Sequence, residues 1–309
     1  MPRPFRFGVQ LLEVESGHHQ QPAALVDTAR RVEALGYDEL FSYDHVGAAD
    51  PFVPLVVAAM ATERLRVGPL VLNNELHHPA LLARTAATID HLTGGRLVLG
   101  LGTGYMQSEH DAIDVALRPP RERVDRFGES LVVLRELLDT GHCDHDGGHH
   151  RVAVEDLGIR PVQARVPFLI GGHGRRVVGL AARHADIFQF TGLVHGEGGV
   201  PTPGGFALDR VAERARWLSE AAGDRDAEID RSVLIQSVCV GCMPADASDR
   251  AVRYGLDLDV LHESPFVLWG SVAEIVEKLV RLREWLGVSH VVVRDPEQFA
   301  PVVEVLQGR

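Results

Sequence analysis

The chain has little cysteine, no long apolar run and no excess of positive charge. Three cysteines, Cys143, Cys239 and Cys242, occur in 309 residues, an odd and low count that argues against a disulfide framework. Cys239 and Cys242 form a C-x-x-C at the end of the apolar run Val233 to Val240. No helix directly follows it and no second cysteine pair exists, so packed thiols are expected there rather than a redox or metal site. No apolar stretch approaches the ~20 residues that cross a bilayer, and Met1 to Phe7 has no signal-peptide core. A cytoplasmic protein without a membrane partner is expected. A formal net charge of −12 excludes a general nucleic-acid surface. Also missing are a P-loop, a nucleophile elbow and a G-x-G-x-x-G after the first strand.

What is present is a soluble α/β pattern. Hydrophobic residues make up 45% and charged residues 24%, and the length suits one α/β barrel. The organising stretch runs from Leu65 to Tyr105. Leu65 to Leu72 is a short apolar run, Asn73 to Pro79 a polar bend, Ala80 to Leu92 an amphipathic helix, and Arg96 to Gly102 a second apolar run ending in Thr103-Gly104-Tyr105. That is a β-α-β unit whose strands are covered on both faces.

The same alternation fills the chain. Strands are predicted at Phe5–Leu11, Asp38–Tyr43, Leu65–Leu72, Arg96–Gly102, Pro167–Ile170, Ala185–Phe190, within Ile229–Val240, and at Val288–Val293. Helices separate most of them, including one capped by Ser271 and stopped by Gly287. Between Gly141 and Gln163 the pattern becomes a hairpin with its bend at Asp146-Gly147-Gly148. Gly192 to Gly205 reads as a Gly/Pro-rich loop. Eight strands favour a (β/α)8 TIM barrel over an open sheet, a single domain over residues 1–309 with insertion segments at the carboxyl-terminal rim.

In such a barrel the strand ends converge on one rim. Gln10 with His18-His19, Asp44-His45, Asn73-Asn74 with His77-His78, Thr103-Gly104-Tyr105, and Gly171-Gly172-His173-Gly174-Arg175 all follow strands. Glycines before a helix let backbone N–H groups approach an anion, and Arg175 with Arg176 supplies a fork, so this loop is read as a phosphate site. Asp44-His45 suits hydrogen bonding to a polar ring or proton donation. Asn73-Asn74 marks a bulge or a turn aimed at a ligand. The His-rich run Gly141 to His150 lacks structural-zinc spacing and is read as a polar, exposed turn without metal.

These motifs resemble the luciferase-like flavin/deazaflavin oxidoreductases, in the branch that uses coenzyme F420. The likeness covers nearly the whole chain. It rests on Ala34 to Asp38 leading into Asp44-His45-Val46, Asn73-Asn74 through His78-Pro79-Ala80, Ala87 to Asp90, Leu99 to Tyr105, Pro167 to Gly174, and Ala181 to Asp186. The resemblance implies a TIM barrel holding F420, with Asp44, His45, Asn73 and Asn74 around its ring system. It places Thr103 and Gly104 along the ring or ribityl chain and Gly171, Gly172, His173, Gly174 and Arg175 on the phosphate. A non-proline cis peptide is implied near Asn73-Asn74, and a homodimer is common in the family. Two departures stand out. Tyr105 replaces a glutamate found in some deazaflavin dehydrogenases, and His77-His78-Pro79 replaces the usual Arg-His-Pro.

The expected activity is hydride transfer between F420 and a small organic substrate, as a reductase or dehydrogenase, with His45 or Tyr105 as the catalytic proton donor. Two alternatives stand beside it: an FMN-dependent monooxygenase, and a cofactor-binding barrel without chemistry.

Overall fold

A computed structural model describes residues 3–11, 22–195, 201–202 and 204–309. His18 and His19, and much of the loop between Gly192 and Gly205, lie outside the described residues.

The strands in chain order are β1 (Arg6–Gln10), β2 (Glu39–Ser42), β3 (Arg66–Pro69), β4 (Leu72–Asn73), β5 (Leu99–Gly102), β6 (Cys143–Asp146), β7 (Arg151–Val154), β8 (Phe168–Gly172), β9 (Ile187–Phe190), β10 (Val194–His195), β11 (Pro201–Thr202), β12 (Asp230–Leu234), β13 (Ser237–Val240), β14 (Val267–Gly270) and β15 (Val288–Val293). The helices are α1 (Pro22–Ala34), α2 (Val53–Met60), α3 (Pro79–Leu92), α4 (Gln107–Ala112), α5 (Pro120–Thr140), α6 (Arg175–His184), α7 (Leu208–Ala222), α8 (Ala247–Tyr254), α9 (Leu258–Glu263), α10 (Val272–Leu286) and α11 (Pro296–Leu306).

Nine of these strands form one sheet in the order β3-β2-β1-β15-β12-β9-β8-β5-β4, and its registers are parallel. β3 and β4 are two pieces of one interrupted strand. Val67 N donates to Arg96 O at 2.9 Å and Val98 N donates to Val67 O at 2.9 Å. The sheet thereby closes on itself as a TIM barrel. Two cores result. Phe41, Leu70, Val98, Leu169, Ile187 and Val292 fill the inside, with Val71 and Leu234 packed on them. A larger apolar layer lies between the strands and the helices. Covering strands on both faces is why these segments read as continuous apolar runs.

Beneath the inner core sits a charged layer. Glu39 Oε2 lies 2.6 Å from His290 Nε2, both side chains fully buried, with Arg6 Nη1 3.6 Å from Glu39. Burial acts to raise the Glu39 carboxyl, but His290 and Arg6 outweigh it and hold the pKa down to about 2.

Several expectations need correction. The implied cis peptide lies at Leu70–Val71, not at Asn73-Asn74. Asn73-Asn74 instead opens a short 3-10 turn, in which the Asn73 side chain accepts from Glu75 N. The seventh predicted strand is two: β12 belongs to the barrel, while β13 leaves it and pairs with β14, a strand the periodicity did not mark. The C-x-x-C thiols are joined as a disulfide, because the turn at Gly241 (φ +82°) brings the two Cα atoms to 5.4 Å.

The hairpin of β6 and β7 forms as expected, with Asp146 as the last residue of β6 and the bend at Gly147-Gly148-His149-His150. Its His-rich tip is not simply exposed. Glu129 on α5 accepts from the backbone N–H groups of Gly148, His149 and His150, and buried His150 meets Ser130 Oγ at 3.0 Å. Among the described residues no helix is long and apolar enough to cross a membrane.

Candidate functional site

The strand ends do converge, and the convergence has a specific floor. Val71, between β3 and β4, is flanked by glycines on neighbouring strands. A Cβ on Gly102 would meet Val71 Cγ2 at 2.7 Å, one on Gly100 would meet Val71 Cγ1 at 3.4 Å, and one on Gly171 would sit 3.6 Å from it. β5 and β8 therefore present bare backbone around one valine side chain.

On one side of this floor stand Asp44 and His45, just past β2. Asp44 Oδ2 accepts from Asn73 N at 2.9 Å and lies 3.0 Å from His77 Nε2. The carboxylate thus ties the end of β2 to the bend after β4. His77, the residue in place of the usual arginine, is its partner. His45 Nδ1 lies 2.6 Å from Glu109 Oε1, and His45 Nε2 lies 3.3 Å from Tyr105 Oη. An ionised carboxylate only accepts, so Nδ1 carries the imidazole proton and Nε2 faces the phenol as acceptor. Burial first, and then the Glu109 charge, push the Tyr105 phenol up to about 12. The phenol therefore stays protonated across the physiological range.

Glu109 was missed in the sequence. It lies in the first turn of α4, four residues past Tyr105, inside a polar stretch. A carboxylate one helical turn beyond a strand end was the available signal. Also on α4, His110 is buried. Its Nε2 meets Asn73 Nδ2 at 2.9 Å and its Nδ1 meets the Val115 carbonyl at 3.0 Å. A Cβ on Gly104 (φ +74°) would fall 2.0 Å from Asn73 Oδ1, so glycine is required where the Thr103-Gly104 turn crosses the asparagine.

Asn74 turns towards the helix layer. Its carbonyl accepts from Arg126 Nη1 at 2.5 Å, while its buried Nδ2 makes no hydrogen bond. Next to it, Glu75 is buried and pairs with Arg118 at 3.0 Å and Arg126 at 3.2 Å. Arg126 Nη2 also donates to the His77 carbonyl at 3.1 Å.

Across the mouth, Gly171 and Gly172 end β8, and His173-Gly174 lead into α6. Gly174 is the N-cap, in an extended conformation and without a side chain closing the helix end. A Cβ there would meet nothing within 4 Å. Burial, then Arg214, push the His173 pKa down, which favours its neutral form. Arg175 is exposed, with its guanidinium carbon 5.8 Å from the centre of the Trp217 ring on α7. Arg176 departs from the expected fork, because it is ion-paired with Asp125 on α5.

The sequence profile of the luciferase-like monooxygenase family matches residues 5–261. The chain belongs to the luciferase-like monooxygenase family. Among its relatives, an F420-dependent glucose-6-phosphate dehydrogenase of Nakamurella multipartita is 31% identical over 74% of this chain and 66% of its own. The chain thus spans just under two thirds of that relative. A protein of the same description from Kineococcus radiotolerans is 27% identical over 92% of this chain and 83% of its own. The fold is shared with the coenzyme F420 dependent tetrahydromethanopterin reductase of Methanopyrus kandleri, at a TM-score of 0.74, 17% identity and 99% coverage of both chains.

Proposed function

We propose that this luciferase-like barrel is an F420-dependent oxidoreductase that transfers a hydride between the deazaflavin and a small organic molecule. The observation that carries the reading is the chain of contacts from Glu109 through His45 to Tyr105 beside the Val71 floor. It supplies a proton site next to a surface where a flat ring can lie. The named relatives in which F420 serves dehydrogenation support the choice of cofactor.

The residues present fit a phosphorylated three-ring carrier. Gly100 and Gly102 let Pro69 and Val71 press closely on β5, so the partly exposed Val71 offers a flat apolar seat for a ring, and the unclosed α6 N-terminus offers N–H donors to a phosphate. Gly171, Gly172, His173, Gly174 and Arg175 hold the phosphate end. Asp44, His45, Asn73, Thr103 and Gly104 surround the ring end, and Asn74, turned to Arg126 on α5, supports the bend from behind. When bound, the deazaflavin supplies or accepts the hydride. The protein holds the substrate in line and handles the proton. In oxidation the unprotonated His45 Nε2 takes a proton from the substrate by way of Tyr105 Oη; in reduction the imidazolium, protonated at Nε2 from solvent, returns it by the same path, and Glu109 keeps Nδ1–H in place throughout. This corresponds to a cytoplasmic homodimer, one barrel domain per chain, acting without nucleic-acid or membrane partners.

Titration with oxidised F420 and with FMN, followed by fluorescence, tests the reading. Binding of F420 at micromolar concentration or tighter, with FMN at least ~10-fold weaker, is the expected result, and R175A weakens F420 by about the same factor. Tighter FMN binding would turn the assignment to a monooxygenase. Tight F420 binding with no turnover across a broad substrate screen would leave a binding protein.

A further inference from the structure

The mouth also carries a cation that the proton chain does not use. Residues two apart face the same side of a strand, and Gly8 and Val292 both line the barrel interior. Gln10 and Arg294 continue those inward series by one step, at the ends of β1 and β15. Arg294 Nε donates to Gln10 Oε1 at 3.1 Å, and Arg294 Nη1 donates to Gln236 Oε1 at 3.1 Å. Both amides are held from behind. Gln10 Nε2 donates to the Leu70 carbonyl at 2.9 Å and Gln236 Nε2 to the Leu234 carbonyl at 3.3 Å. Each glutamine must therefore turn its oxygen to the arginine and its nitrogen to a strand-end carbonyl.

These two acceptors are uncharged. Three other partly buried arginines meet carboxylates, Arg126 on Glu75, Arg135 on Asp186 and Arg231 on Asp226, and Arg96 is filled by the carbonyls of Ala59, Thr62, Leu65 and Thr93. Arg214 is occupied by the carbonyls of Thr191 and Gly205. At Arg294, burial pushes the pKa down, and the ionisable neighbours acting on it are the phenols of Tyr254 and Tyr43. A guanidinium keeps its charge in such surroundings and has five donors. Two are taken by the glutamines. Among the described residues both Nη2 hydrogens and the second Nη1 hydrogen have no partner, and they lie in the planar arrangement that matches a carboxylate.

The place of this cation sets its role. β15 and β8 are separated by β12 and β9 in the sheet order, so Arg294 lies well around the barrel from the α6 N-terminus and serves a different anion. Through Gln10 it is two hydrogen bonds from Leu70, the residue before the Val71 floor. The Tyr43 phenol, which acts electrostatically on Arg294, carries its ring 5.6 Å from that of His45. Resting on the oxidoreductase reading above, we propose that Arg294, held by Gln10 and Gln236, anchors a carboxylate of the substrate, and that the enzyme acts on small carboxylic acids.

The test compares wild type, R294Q and R294K, each first checked for an unchanged thermal melt. F420 affinity is measured by fluorescence, and sodium benzoate, benzamide and inorganic phosphate are titrated by calorimetry with and without F420. Benzoate is expected to bind wild type at least ~10-fold tighter than benzamide or phosphate. R294Q abolishes that preference, R294K keeps part of it, and F420 affinity moves less than ~2-fold. Equal binding of benzoate and benzamide to wild type overturns the proposal, as does a benzoate preference that survives R294Q. A ~10-fold loss of F420 affinity in R294Q assigns the arginine to the cofactor and overturns it too. Should wild type fail to bind F420 while showing the Arg294-dependent benzoate preference, the cofactor reading falls and the carboxylate site stands.

Discussion

His45 Nδ1 and Glu109 Oε1 lie 2.6 Å apart across 64 residues of sequence. The contact joins the end of β2 to the first turn of α4 and decides which imidazole nitrogen meets Tyr105. Glu109→Leu removes the acceptor on Nδ1. The expected outcome is a mixture of imidazole tautomers in ¹⁵N NMR, where wild type shows Nδ1–H alone, and a kcat lower by about 10²-fold with little change in KM. Because Glu109 is the second cause of the raised Tyr105 pKa, the phenol of the variant should also ionise at lower pH than about 12 in an ultraviolet titration. An unchanged tautomer would show that His45 is set by other contacts.

The bend after β4 depends on a buried carboxylate. Glu75 is fully enclosed between Arg118 and Arg126, and Arg126 reaches on to the carbonyls of Asn74 and His77. Arg126→Met keeps the bulk and removes the charge. Breaking a buried pair from one side costs roughly 3 kcal/mol, and the loss should appear as a lower midpoint in urea. Combining R126M with E75Q should recover much of it, since no buried carboxylate then lacks its arginine and the more exposed Arg118 keeps Glu122 at 3.3 Å. A double variant no better than R126M would refute the ion pair as the source of the loss.

Acid should act on the charged layer under the inner core. The Glu39 carboxyl has its folded pKa lowered from an ordinary 4.5 to about 2. A depressed carboxyl contributes stability above its unfolded pKa and loses it as pH falls through the folded value. Wild-type stability should therefore decline between about pH 4.5 and 2, by a few kcal/mol from this group. Glu39→Gln should be less stable at pH 7 and show a shallower decline over that window, measured by urea unfolding at each pH. Parallel slopes for the two proteins would place the acid sensitivity elsewhere.

The sequence was most legible where a local rule determined the structure. Ser271 and Glu274 form a capping box, and Gly287 stops α10 in the left-handed region, because both ends are encoded within a few residues. The strand ends at Asp44, Thr103 and Gly171 were legible because apolar runs stop abruptly there. What stayed hidden was set by pairing at a distance. β14 is four residues long and exists because β13 lies beside it. Glu109 and Arg294 are ordinary surface letters until the barrel turns them towards His45 and Gln10. The cis peptide was expected three residues too late because Asn73-Asn74 is the more polar pair, whereas it lies at Leu70–Val71 inside the apolar run.

The glycines around Val71 make that single side chain a shim for the depth of the mouth. With Gly100, Gly102 and Gly171 contributing only backbone, exchange of Val71 for Ala or Ile lowers or lifts whatever rests there by about a methyl group. The atoms of the Glu109–His45–Tyr105 relay would keep their positions. A reacting carbon could thus be brought level with the proton site, or moved past it, by one substitution.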